Sequence, residues 1–509
     1  MLSRVYIGKN KADENPVSVF IGNLPTGRSE REYEAALMRR LGQATRWTSI
    51  EAIYYEHGAV VLSFPDATSA LAAVKLLRDA PVSLQMMSTD SSSQQTESQS
   101  SAAEKAHMHN TLVIGGDNVN VEKRLVCMCL PQIKAMKPEL GIPVLVLVNA
   151  RSGGCQGVEL LRSLRLLLNP FQVFSLEQAG PLPALHSFRE LPNYRILCCG
   201  GDGTVGWVLS CLDNVSQDSA CTSPPVAIMP IGTGNDLSRV LNWGPGFAGT
   251  ESLNDYLEDV ALGDPCNFDR WTVSMAPSES TVQPTSPRLP ATVMTKQSAE
   301  DNSSVLLMNN YFGIGIDAEV ALDFHKAREE QPDKFKSRNY CKKVYLHMGL
   351  RKMFGRNDST DLHRKIKIDI DDKPLELPPL EGIIVLNIMS WGSGCDTWGS
   401  EKSNPFAKPA HDDGLLEVVG VGGMVHLGQI QSGMRSAIRL AQGEHIHIQL
   451  LQDLHVQIDG EPWLQPAGHI NVRRSALRVI NYYLNRKEKF EKEKKIRFVG
   501  GWGRNGREG

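Results

Sequence analysis

The hydrophobic pattern of this chain changes its period several times, and each change marks a unit. Val17–Ile21 is a short apolar run. Glu30–Leu41 places Tyr33, Leu37, Met38 and Leu41 at helical spacing. Ile50–Tyr55 and Ala59–Phe64 are again strand-length runs, and Ala67–Leu77 returns to helical spacing. This strand-helix-strand-strand-helix order predicts a small module over residues 1–87, ferredoxin-like or ubiquitin-like. Residues 88–110 are rich in Ser, Gln and Thr and predict a disordered linker, because they bury too little apolar surface to fold. A connecting segment, 111–140, leads to an alternating α/β region over 141–272. A Ser/Thr/Pro-rich stretch within 273–304 predicts a disordered insert. From 305 to 483 the pattern is mostly strands: Ile366–Ile370, Gly382–Met389, Leu415–Val421, Ile446–Leu450, His455–Ile458 and Val472–Ile480. The fold class expected is therefore α/β followed by β: a parallel-sheet domain, then a mostly antiparallel β-sandwich. Residues 484–509 alternate Lys with Glu and predict a solvated charged tail. The linker implies that the first module is tethered, with few contacts to the rest.

Within 141–272 one motif recurs three times. An apolar strand runs into a glycine-rich turn, and the turn opens a helix. Val144–Val148 leads into Asn149-Ala150-Arg151-Ser152-Gly153-Gly154, and Ile196–Cys199 into Gly200-Gly201-Asp202-Gly203-Thr204. Val226–Ile231 leads into Gly232-Thr233-Gly234-Asn235-Asp236. Backbone N–H groups and the positive end of the helix dipole gather at such turns and favour an anion. Glycine lets the backbone approach that anion closely. A single Gly-Asp turn is also an ordinary structural turn. Three of them on neighbouring parallel strands make one phosphate-binding edge, and the aspartates add metal or acid–base chemistry. Phosphoryl transfer from a nucleotide is the chemistry this suggests. The Walker pattern is absent, which argues against a P-loop enzyme.

Composition narrows the class. The net charge is only −3, against a general nucleic-acid binder. The ten cysteines are scattered, with no C-x-x-C pair and no spacing with histidines that suggests zinc. No secretory leader is visible, and no window of about 18 apolar residues is found. A cytoplasmic chain whose membrane contact is peripheral is expected. Lys326–Arg356 carries ten Lys/Arg against three Asp/Glu, with aromatics interleaved. It suits an anionic membrane surface. Equally, it suits a solvated basic helix packed through Tyr340, Val344 and Met348.

The turns Gly200–Trp207 and Pro230–Arg239 resemble the catalytic domain of eukaryotic diacylglycerol kinases. Phe312-Gly313-Ile314-Gly315-Ile316-Asp317-Ala318, the stretch 323–350 and Ile458-Asp459-Gly460-Glu461-Pro462-Trp463 resemble their accessory domain. The arrangement is most similar to the theta type. The Gly-Gly-Asp-Gly-Thr core alone is shared with sphingosine kinases, NAD kinases and phosphofructokinases. The resemblance implies an ATP- and Mg²⁺-dependent kinase that makes phosphatidic acid from diacylglycerol at the plasma membrane. It implies that Asn149, Ser152, Gly153, Gly200, Gly201, Gly203, Thr204, Gly232, Thr233, Gly234 and Asn235 hold the nucleotide. Asp236 and Asp413 would serve the magnesium network, and Asp202 and Glu461 catalysis, either being the base. The Asp413-Gly414 pair is also an ordinary hairpin turn. Cysteine-rich zinc modules usual in such kinases are missing here, which implies a short form or a truncated chain. The alternatives are a sphingoid-base kinase or a catalytically silent nucleotide-binding scaffold. In the first module, Val19-Phe20-Ile21-Gly22-Asn23-Leu24-Pro25 resembles the first strand of an RNA-recognition domain. Its partner strand 57–64 lacks the aromatics that stack bases. A Ras-association-like module that binds a small GTPase or another signalling protein is therefore expected, with no nucleic acid; a plain structural domain is the alternative.

Overall fold

The computed structural model describes residues 2–3, 5–7, 16–78 apart from 43 and 44, 125–131, 133–135, 142–277 apart from 219, 220, 222 and 250, 296–297, 304–331, 334, 340, 344, 361–399, 406–475 and 483–486. The predicted linker, most of the predicted insert, most of the basic segment and the tail beyond Arg486 lie outside the described residues.

Two short strands open the chain, β1 (Leu2–Ser3) and β2 (Val5–Ile7). The first module follows: β3 (Val17–Gly22), α1 (Glu30–Leu41), β4 (Ser49–Tyr54), β5 (Ala59–Phe64), α2 (Ala67–Leu77) and β6 (Val126–Cys129). Its sheet has the order β4-β5-β3-β6 with every pair antiparallel. Helix α1 begins at a capping box between Ser29 and Glu32. Helix α2 begins at Asp66, whose side chain accepts the Ser69 N–H at 2.8 Å. Both helices press Tyr33, Leu37, Ala70, Ala73 and Leu77 onto Val19, Ile21, Val60 and Leu62, one face of the sheet. That alternation leaves the apolar residues of the opposite face to be covered by something else.

The second unit covers them. After β7 (Ile133–Ala135), which pairs with β2, come β8 (Ile142–Val148), α3 (Ser152–Leu167), β9 (Val173–Ser175), α4 (Leu182–Phe188), β10 (Arg195–Gly200), α5 (Asp202–Val215), β11 (Val226–Pro230), α6 (Asp236–Val240), α7 (Leu253–Leu262) and β12 (Asp264–Cys266). Strands β8, β10 and β11 are parallel neighbours and almost wholly buried, as continuous apolar runs between helices must be. Phe20, Tyr54, Ala59 and Val61 of the first module share one hydrophobic cluster with Leu185, Phe188 and the strands of this sheet. Polar contacts fix the register. The Tyr54 hydroxyl meets His186 Nδ1 at 2.7 Å, and the Asn214 amide meets His57 Nε2 at 3.1 Å. Arg189 and His186 both face the Glu51 carboxylate, and His186 holds it below the usual carboxylate range. The expectation of a tethered module with few contacts is thus overturned: the module is part of the parallel-sheet unit's core.

The third unit is two antiparallel sheets face to face. The first holds β13 (Trp271–Pro277), β14 (Lys296–Gln297) and β15 (Ser304–Met308). β16 (Tyr311–Gly315) starts the second and leads directly into helix α8 (Ile316–Glu330). β17 (Ile366–Ile370) and β18 (Lys373–Pro374) return to the first sheet, and β19 (Gly382–Leu386), β20 (Leu416–Val421) and β21 (Ile438–Gly443) extend the second. β22 (His445–Leu450), β23 (Leu454–Ile458), β24 (Glu461–Gln465) and β25 (Gly468–Arg474) complete the pair. The orders are β14-β15-β13-β25-β22-β17-β18 and β21-β20-β19-β16-β23-β24. Alternate residues such as Trp271, Val273 and Met275 point inward onto Phe312, Ile314, Ile383 and Val385. The expected parallel-sheet domain and the antiparallel β domain are both present. The sequence-drawn limits at 272 and 483 fall inside strands: β13 begins at Trp271, and β26 (Tyr483–Asn485) returns to pair with β11 and β12 of the parallel sheet. Arg486, at the start of the predicted solvated tail, is instead clamped by Asp259 at 2.7 Å and by Glu251.

Candidate functional site

The three glycine turns meet at the carboxyl ends of β8, β10 and β11, where the β domain closes over them. The second and third touch backbone to backbone. A Cβ on Gly232 would lie 2.4 Å from Gly201 Cα, so no side chain fits between these turns. The first turn is tied to the second by Asn149, whose amide donates to Thr204 Oγ1 at 3.0 Å. It is tied to the third through Gly153, which has φ +62° and whose Cβ would strike the Ile231 carbonyl. Ser152 opens α3 and donates its N–H to the Asn149 carbonyl. Asn235 adopts a left-handed backbone, and its amide donates to the Gly232 and Pro245 carbonyls at 2.9 and 3.0 Å. Its Oδ1 is buried beside the Gly201–Gly232 seam with no partner among the described residues. An orphaned acceptor at that seam points to a donor supplied by a ligand. Thr233 and Gly234 bridge the loop, and Gly234 lies against Asp236 and Asp202.

Asp202 opens α5 and turns its carboxylate onto the start of α6. It accepts the Asp236 N–H at 2.8 Å and the Leu237 N–H at 3.3 Å. Burial, and then the charge of Asp236, push its carboxyl up to about 7. Asp236 faces the β domain: its carboxylate accepts Ser390 Oγ at 2.7 Å, Gly394 N–H at 2.8 Å and Ser393 N–H at 3.1 Å. It therefore fastens the loop 390–394 across the junction.

Two carboxylates enter from the other side. Asp459, in a left-handed turn with φ 50°, accepts the N–H groups of Asn309, Asn310 and Tyr311 at 2.8, 2.8 and 3.0 Å. Burial pushes it up against those hydrogen bonds. The turn it stabilises presents Glu461, the first residue of β24. Glu461 Oε1 comes within 4.0 Å of the place a Cβ on Gly203 would take, and burial raises its pKa. Asp202, Asp236, Asp459 and Glu461 thus line one junction, bringing together residues far apart in the chain. Asp413 is placed differently. Its carboxylate accepts the N–H groups of Ala410 and Leu415 within its own turn, and the next N–H, of Gly414, goes to Asp269 at 2.7 Å.

The sequence reading missed Asp459, the 390–394 loop and Asn309. The Asp-Gly-Glu spacing was the available signal for Asp459. Nothing local marked Ser390–Gly394, whose partner lies 154 residues away. Among the described residues, no group of three or more His, Cys, Asp or Glu is arranged to hold a metal ion by itself. A buried pair of like charges, Asp202 and Asp236, nonetheless suits a divalent cation that arrives with phosphates, since Mg²⁺ keeps several waters and takes few protein ligands.

Glycine turns on a parallel sheet, faced by carboxylates from a two-sheet β domain, define an α/β–β protein with an anion-binding edge at the domain junction. Family models place it further. Residues 143–263 match the diacylglycerol kinase catalytic domain, and 307–462 match the diacylglycerol kinase accessory domain. Residues 14–89 match a model described as diacylglycerol kinase theta, RNA-binding domain-like. The chain belongs to the diacylglycerol kinase family. It is 41% identical to mouse (Mus musculus) diacylglycerol kinase theta over 94% of this chain and 46% of that protein. The human (Homo sapiens) theta enzyme is 40% identical over 94% of this chain and 45% of its own length. Arabidopsis thaliana diacylglycerol kinase 1 is 37% identical over 75% and 50%. The chain spans about half the length of the curated relatives it matches.

Proposed function

We propose that the chain transfers the γ-phosphate of ATP to the free hydroxyl of a 1,2-diacylglycerol, giving phosphatidic acid. The observation that carries this is Glu461 Oε1 facing Gly203 of the phosphate turn across the junction of two domains. A primary hydroxyl must lose its proton as it attacks phosphorus, and a positioned carboxylate contributes about 10²–10⁴ in rate. Both oxygens of Asp202 are already engaged by N–H groups, so Glu461 is the better base and Asp202 the better organiser. The proposed step is one displacement. The acceptor oxygen bonds to the γ-phosphorus, the bond to the bridging oxygen breaks, ADP leaves, and the proton passes to Glu461.

Gly200, Gly201, Gly203, Thr204, Gly232, Thr233, Gly234, Asn149, Ser152 and Gly153 would cradle the phosphates through backbone N–H groups and short polar side chains. Asn235 would offer its orphaned Oδ1. Mg²⁺ would neutralise phosphate charge at Asp236, with Asp413 acting through water. No helix among the described residues is long and apolar enough to cross a membrane. Peripheral contact with an anionic plasma-membrane surface from the cytoplasmic side is the arrangement we favour. The first module's β-sheet face is filled by the catalytic unit, so bases cannot stack there, and a small GTPase or other signalling protein would meet its helical side.

The test is incubation with radiolabelled ATP and a mixture of diacylglycerol, sphingoid base and monoacylglycerol. Label in phosphatidic acid supports the proposal. Label only in sphingoid phosphate, or none at all, contradicts it.

A further inference from the structure

Glu461 faces two ways. While Oε1 points to the phosphate turn, Oε2 lies 3.8 Å from Nδ1 of His325. His325 stands on α8, whose first turns are locked in the core by Ile316, Asp317, Ala318, Val320 and Ala321. The helix lies across β23 and β24, so His325 is held over the strand that begins with Glu461. The His325 side chain is only 20% exposed and that of Glu461 25%. Among the described residues, the other charged groups facing this pair are Arg328 and Glu329 of α8 and Asp459 of the β23–β24 turn. Asp459 is taken up by three backbone N–H groups.

We propose that His325 is a positioning residue for the base: its Nδ1–H turns to Glu461 Oε2 and holds Oε1 on the path of the acceptor hydroxyl. The inference rests on the lipid-kinase reading above and adds to it a residue outside the phosphate turns and the carboxylate set. A gap of 3.8 Å is wider than a hydrogen bond, and catalytic hydrogen bonds tighten when substrate engages the other oxygen. Burial, helped by Arg328, pushes the imidazole down to about 4, so at neutral pH it is an uncharged donor. An N–H on Oε2 favours the ionised carboxylate, opposing the burial that raises Glu461. Through the transfer the hydroxyl proton passes to Oε1, the phosphate moves to the acceptor oxygen, and His325 keeps its own proton. Water then takes the proton from Glu461.

The experiment compares the full chain with His325→Ala, His325→Asn and His325→Gln, at matched thermal stability, on ATP and diacylglycerol in mixed micelles from pH 5.5 to 9. An Asn amide can stand where Nδ1 stands; a Gln amide reaches the position of Nε2. His325→Ala should lose on the order of tenfold or more in kcat with KM for ATP unchanged, and the acidic limb of its pH profile should move up. His325→Asn should recover most of both, and His325→Gln should not. A second readout needs no turnover: the carboxyl pKa of Glu461, followed by ¹³C NMR, should rise in His325→Ala. An alanine variant that matches the wild type in kcat, pH limb and Glu461 titration overturns the proposal. So does a Gln variant that equals or exceeds the Asn variant. Absence of diacylglycerol turnover in the wild type would contradict the kinase reading instead, and the NMR titration would still decide the His325 contact.

Discussion

At the residue scale, the carboxylates of this chain fall into two kinds. Some are spent on backbone N–H groups and build the site, as Asp236 and Asp459 do; one, Glu461, keeps an oxygen facing the phosphate turn. Asp202 stands between, holding the start of α6 while buried at the centre of the junction. Asp202→Ala should therefore lower turnover by about 10²–10⁴ and leave the protein folded, measured as kcat beside a melting curve. Full turnover in a folded variant would remove Asp202 from the chemistry. Glu417 offers a test on stability. Its side chain is wholly buried on β20, accepts the Gln442 amide at 3.1 Å, and is pushed by burial up to about 8. The folded pKa lies above the unfolded one, so the folded state holds the extra proton between about 4.5 and 8. Stability should fall as pH rises through that window. Glu417→Gln keeps the hydrogen bond and removes the charge, so it should flatten the slope and gain on the order of a few kcal/mol at pH 8. Parallel melting curves for both proteins from pH 5 to 8 would refute the burial argument.

At the element scale, the glycine turns were legible because their signal is local: a buried strand, glycines, then a helix start, three times over. The backbone contact between Gly201 and Gly232 follows from two such turns on adjacent strands. Gly232→Ala should force these turns apart, cost about 1–3 kcal/mol, and raise KM for ATP more than KM for lipid. An unchanged KM for ATP would show that the seam does not hold the nucleotide. Most strand runs of the β domain were also legible, because alternation reports a two-sided sheet; the run Val472–Ile480 was not, since the strand there is Gly468–Arg474 and residues 476–480 lie outside the described residues. The site's long-range parts were not. Asp236 meets Ser390 154 residues away, and Asp459 meets Asn309 150 residues away. No window of sequence contains both partners. Nothing local marked His325, whose neighbour Glu461 lies on β24, far along the chain.

At the scale of the whole molecule, the first module is where sequence reasoning and structure part. A Ser/Gln-rich linker suggested a tether, yet Phe20, Tyr54 and Val61 are buried against Leu185 and Phe188. The outward apolar face of its sheet, with Phe20, Ala59 and Val61, needs a cover. In the structure, the parallel-sheet unit is what covers it. Deleting residues 16–78 should therefore lower the melting temperature markedly and reduce turnover even on detergent-dispersed lipid, because His186 and Asn214 lose their partners and a core is opened. Unimpaired micellar activity in the shortened chain would restore the tethered picture. The two other units meet through the buried pair Asp213–Arg270 at 2.7 Å as well as through Asp236. That union sets Glu461 of one domain opposite the glycine turns of the other. The most direct test of this account is transfer of label from γ-³²P-ATP to diacylglycerol by the wild type and by Glu461→Gln, with matched melting temperatures and nucleotide binding. Robust labelling by the wild type and a loss of about 10²-fold or more in the variant, with ATP affinity preserved, is the expected result. Equal labelling by both proteins would contradict it.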